Sequence, residues 1–162
     1  MDRITRVTVV YDPEEDRLAL DVENQHQVRR RLWLTRRLLD QLIPALLQPL
    51  GHSTATVEQP ANAPAPPEAK QVYAQLAARL QHKPARPVSP PEGPATLVQE
   101  VLVARRQNGP WRLTFRRQGA EPAELSLPDA ALRQWLEALH RNYQKAGWGN
   151  AIWPDWVGNR RA

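Results

Sequence analysis

Residues 18–47 read LALDVENQHQVRRRLWLTRRLLDQLIPALL. Leu18, Leu20 and Val22 alternate with Ala19, Asp21 and Glu23, the two-residue period of a half-buried strand. Val28 to Leu34 reads as a further strand, with Leu32 and Leu34 on one face and Arg29, Arg31 and Trp33 on the other. Thr35 is a helix N-cap, and Leu38, Leu39, Leu42, Ile43, Leu46 and Leu47 recur at helical spacing behind it. Pro44 stands inside that stripe. A proline costs about 3 kcal/mol in a helix interior, so a kink or an early end is expected there. Upstream, Arg3 to Tyr11 is β-branched, with Val7, Val9 and Tyr11 alternating, and Asp12-Pro13-Glu14-Glu15-Asp16 turns the chain. Residues 1–50 thus form a β-β-β-α unit.

The order returns downstream. Leu97 to Arg106 is a strand, and Asn108-Gly109 is a hairpin turn. Trp111, Leu113 and Phe115 alternate with Arg112, Thr114 and Arg116. Gly119 to Pro122 turns, and Glu124 to Leu127 is a short strand. Pro128 and Asp129 open a helix whose stripe is Leu132, Trp135, Leu136, Leu139 and Tyr143, stopped at Gly147. An offset of 93 lays Leu18, Leu20 and Val22 on Trp111, Leu113 and Phe115 without a gap. The same offset lays Leu39, Leu42, Ile43 and Leu46 on Leu132, Trp135, Leu136 and Leu139. Only the first strands need a one-residue shift. This match predicts that 96–147 is a second copy of the first unit.

Nine of the 16 prolines fall between Pro60 and Pro94, so residues 51–95 read as a Pro/Ala-rich linker. Within it, 68–82 carries Val72, Tyr73, Leu76 and Leu80 on one helical face, an amphipathic helix. Residues 148–162 form a Trp-rich tail. A unit of about 50 residues is marginal alone, so the two halves are expected to share one core in one α+β domain. The expected sheet is antiparallel with helices on one face. Strands, a helical insert, strands and a final helix resemble, in order, the heads of DNA end-joining scaffold and centriolar cartwheel proteins. The resemblance is one of element order, without a shared residue motif.

At 162 residues, 41% hydrophobic and 24% charged, the composition is that of a globular domain. No apolar run reaches the roughly 18 residues a membrane span needs. The opening Met1-Asp2-Arg3-Ile4-Thr5-Arg6 lacks the apolar core of a secretory leader. Cysteine is absent, which excludes disulfides, thiolate metal sites and cysteine nucleophiles, and a cytoplasmic location is expected. His26, His52, His82 and His140 offer no pair at metal-ligand spacing, and no phosphate-cradling Gly-rich loop occurs. Neither a metal nor a cofactor is expected.

Three surfaces stand out. The first is the tail, with Trp148, Trp153 and Trp156, which either folds back on the core or docks into a partner. The second is a basic strand face bearing Arg29, Arg31, Trp33, Arg112 and Arg116. It could track phosphates and stack a base, or it is a solvated face with Asp21 and Glu23 pairing across strands. Arg30 falls on the apolar side of its strand, which points to an edge or a bulge. The third is the acidic turn Asp12, Glu14, Glu15 and Asp16, whose spacing matches no calcium loop. The leading functional expectation is a non-enzymatic protein-binding or assembly module, docking through the tail or an exposed sheet edge to an unidentified protein partner. Open sheet edges also make a homodimer an expected assembly. The alternative is nucleic-acid binding through the Arg face, its net charge of +5 being consistent with this. A third is a small enzyme with a site around His140, Asp129 or Tyr143.

Overall fold

The computed structural model describes residues 1–51, 67–82, 86–89, 91 and 93–158. Three strands, β1 (Asp2–Asp12), β2 (Arg17–Asn24) and β3 (Arg29–Leu34), form an antiparallel meander that leads into α1 (Arg36–Gly51). After α2 (Pro67–Gln81), a second antiparallel meander follows, of β4 (Thr96–Arg105), β5 (Trp111–Arg117) and β6 (Ala123–Leu127). It leads into α3 (Asp129–Ala146) and the single-turn α4 (Asp155–Gly158).

The expected antiparallel sheet is here a closed six-stranded barrel. Each meander has two edges, and the edges meet in parallel: β3 against β4 at Leu32–Thr96 and Trp33–Leu97, β1 against β6 at Asp2–Ala123 and Arg3–Glu124. Parallel neighbours require a long crossover between them, and the α1–α2 segment supplies one between β3 and β4. Both seams are only two residues long. The long first strand of each meander therefore runs on past its seam.

Pairing within the two meanders coincides at the offsets read from the sequence. Leu18 faces Leu34 where Trp111 faces Leu127. The register slips between Ile4 and Arg6 in one meander and between Val98 and Glu100 in the other.

Thr35 caps α1 as expected, its Oγ1 accepting from the Leu38 amide at 3.2 Å. Helix α1 does not end at Pro44 but runs through Pro44 and Pro49. Both prolines are exposed, while Leu39, Leu42, Ile43, Leu46, Leu47 and Leu50 are buried. Six such side chains at about 1.5–3 kcal/mol each outweigh the roughly 3 kcal/mol penalty of an interior proline. Gly147 closes α3 in the left-handed conformation at φ 70°, with the Trp148 amide returning to the Tyr143 carbonyl at 3.1 Å.

Strand β2 is buried on both faces rather than one. Its outward Ala19 and Asp21 lie between Val10 and Thr8 of β1 and Trp33 and Arg31 of β3. The segment 86–89 adds to this side: the Val88 amide donates to Thr8 Oγ1 at 3.0 Å, and Arg6 donates to the Arg86 carbonyl at 3.1 Å.

Helix α2 occupies the predicted span, but its buried face is turned from the predicted one, with Val72 and Leu76 only part-buried. Gln71, Ala74, Gln75 and Ala78 are buried, whereas Tyr73 and Leu80 are exposed. The cause lies on α3, which offers a polar stripe. Arg133 donates to Gln75 Oε1 at 3.1 Å and Gln71 Oε1 at 2.9 Å, and Glu137 accepts from Gln75 at 3.2 Å and Arg79 at 2.7 Å. A buried polar stripe is stable only against complementary donors and acceptors, and the glutamines of α2 provide them. No helix among the described residues is long and apolar enough to cross a membrane.

Candidate functional site

Residues 148–158 of the tail fold back on their own domain, and 159–162 lie outside the described residues. Trp148, Trp153 and Trp156 are 8%, 7% and 9% exposed and belong to the main hydrophobic core. Trp148 meets Tyr143 edge-on with ring centroids 5.0 Å apart, and its Nε1 donates to Asp16 Oδ1 at 3.2 Å. Trp153 packs edge-on against His140 and Tyr143, and Arg133 lies over Trp156 at 5.6 Å. The indoles offered as a docking motif are thus committed to the interior.

Two of the four arginines of the basic face, Arg31 and Arg116, are paired with acids. Arg31 Nε and Nη2 donate to both oxygens of Asp21 at 2.7 and 2.9 Å, a bidentate fork that raises the Arg31 pKa. The same guanidinium lies 5.4 Å from the Trp33 ring centroid. Arg6 pairs with Glu23, and Arg116 with Glu100 at 3.2 Å. Arg29, Arg30 and Arg112 are exposed. Arg30, placed on the apolar side by its alternation, faces Val22 near the end of β3 and reaches solvent there. Arg117 is buried, donating to the Glu121 carbonyl and to Asp2 at 3.3 Å.

The titratable groups considered for catalysis are not gathered. Asp129 accepts from Trp111 Nε1 at 2.7 Å and pairs with Arg105 at 3.0 Å. Tyr143 donates to Asp40 at 2.8 Å, and burial together with that bond pushes its pKa up. His140 lies within 3.1 Å of Asn150 Oδ1. Asp129 stands apart at the start of α3, whereas His140 and Tyr143 share Trp153 but hydrogen-bond different partners. A polar cleft of about 680 Å³ opens beside His140, lined by Arg79, His82, Glu137 and Arg141 among others. Among the described residues its one carboxylate, Glu137, is already held by Arg79 and Gln75. In the acidic turn, Asp12 accepts the amides of Glu14 and Glu15, and Asp16 accepts from Tyr11 and Trp148. Among the described residues no cluster of three metal-ligating side chains occurs.

The surface that stands out is the overhang of β4. Beyond Leu97, residues 98–105 have strand β5 on one side and no strand pairing on the other among the described residues. An unpaired edge presents a row of free amides and carbonyls that template a further strand. Leu97, Leu102 and Val103 are 42%, 40% and 36% exposed, and Ala104 is exposed beside them. The matching overhang of β1 is different. It carries Arg6, Thr8 and Val10 outward, receives segment 86–89 on its side chains, and has Trp148 against Tyr11 at 6.0 Å. The sequence leads to the expectation of the open edges of an unclosed sheet, whereas the barrel closes and leaves an overhang. The signal was the unbroken apolar run Val101-Leu102-Val103-Ala104, which puts Leu102 and Ala104 where β1 has Thr8 and Val10. No family model, curated protein or solved structure matches the chain, so the resemblance in element order gains no support from comparison.

Proposed function

We propose that this protein is a non-enzymatic protein-binding or assembly module, acting in the cytoplasm, whose docking surface is the overhanging edge of β4. One observation carries the reading: an eight-residue strand edge bearing exposed Leu102 and Val103, with no strand paired to it among the described residues. Proteins blunt such edges with charge, proline or a covering segment, and β4 carries neither charge nor proline between Val101 and Ala104. An added strand would gain main-chain hydrogen bonds from the edge and specificity from the side chains beside it. Coincident registers in the two meanders support reading them as copies of one unit, one of which kept its edge open. Nucleic-acid binding has less support, because Arg31 and Arg116 of the candidate face are paired with acids.

Site-specific photocrosslinking tests the reading. A crosslinker at position 102 should capture a protein in cells, whereas one at exposed Ser126 on β6 should not. Capture at neither site, or equally at both, would remove β4 as the docking surface.

A further inference from the structure

Resting on that docking reading, we propose that the occupant of the β4 edge is a second copy of this chain, paired antiparallel about a two-fold axis at Val103. The charges along the strand select this orientation. Glu100 lies towards one end of the overhang and Arg105 at the other, with Arg106 following directly after the strand. Two such strands side by side in parallel would bring like charges together, which is destabilising. Turned antiparallel about Val103, each Glu100 faces Arg106 of the partner subunit, and Leu102 faces Ala104 of the partner subunit. Val103 then faces its own copy.

Each of these groups is accessible. Leu102, Val103, Ala104 and Arg106 are exposed, and Glu100 is about half exposed while pairing with Arg116. An isologous contact of this kind uses the same patch twice and closes at two copies. It would extend each three-stranded meander of the second half into a continuous six-stranded ladder through the pair. The overhang spans eight residues, about 26 Å of strand at 3.3 Å per residue, which is long for an edge left unpaired.

Sedimentation of the full chain from about 1 to 100 µM tests this, a range that spans dissociation constants typical of modest dimers. The native chain should pass from one to two chain masses, and Leu102→Lys should hold it at one. Glu100→Arg and Arg106→Glu should each weaken the dimer about tenfold, since each turns two attractive cross-strand pairs repulsive. The double variant should restore it. All these positions are exposed, and unchanged far-UV circular dichroism shows that each variant is folded. A native chain at one mass throughout overturns the proposal, as does a dimer indifferent to Leu102→Lys and to both single reversals. If the chain is monomeric but a crosslinker at 102 still captures a different protein, the docking reading survives and only the second copy is lost.

Discussion

Tyr143 is 1% exposed, its hydroxyl bonded to Asp40 and its ring between Trp148 and Trp153. Burial first, then the bond to Asp40, raises its pKa above the usual 10. The unfolded chain then releases this proton at lower pH than the folded chain does. Its contribution is whole below about pH 10 and is lost as pH climbs through the alkaline range. Tyr143→Phe should cost about 1 kcal/mol at neutral pH through the lost bond. It should also flatten the alkaline decline, as measured by urea unfolding at about pH 8 and pH 11. Arg133 poses the opposite case: burial pushes its pKa down, to about 10, and it is held by two glutamine carbonyls and the face of Trp156. Neither environment was legible in the sequence. Tyr143 was placed correctly on the apolar stripe of α3, but Asp40 lies 103 residues away. No residue near Arg133 in sequence marks it for burial, because its partners Gln71 and Gln75 are on α2.

At the scale of elements, local signals carried well. Thr35 capping α1, the Asn108-Gly109 turn and the Gly147 stop all depend on neighbours within a few residues, and each stands where the sequence put it. What failed were statements that depend on the partner surface. Pro44 is tolerated because the stripe of α1 is buried on the barrel. The span of α2 was readable, but hydropathy assigned its buried face to Val72, Tyr73, Leu76 and Leu80, since nothing local says that α3 presents Arg133 and Glu137. The tail is now an element of the core, and its substitution should show it. Trp153→Ala should cost about 3–5 kcal/mol, as for other buried aromatic truncations. Tyr73→Ala and Leu80→Ala on the exposed face of α2 should each change stability by less than about 0.5 kcal/mol. Midpoints and slopes of urea unfolding distinguish the two outcomes, and a small loss at Trp153 would mean that the tail is not seated as described.

For the whole molecule, six strands, three long helices and their order were present in the alternation of apolar residues. Barrel closure was not. Each parallel seam is two residue pairs between strands far apart in the chain, Leu32 with Thr96 and Asp2 with Ala123, and no local pattern encodes such a meeting. The short seams leave β1 and β4 overhanging; segment 86–89 and Trp148 lie against side chains of β1, and β4 keeps Leu102 and Val103 exposed. This difference between two meanders of coincident register is the basis of the functional account. It is tested most directly by amide hydrogen exchange along residues 98–105 at low and high protein concentration. Alternate amides of an unpaired edge should exchange rapidly in dilute solution, despite lying in a strand, and become protected as the chain is concentrated. Uniform protection at every dilution would mean that the edge is covered within the single chain, and would contradict both the docking surface and the pairing proposed for it.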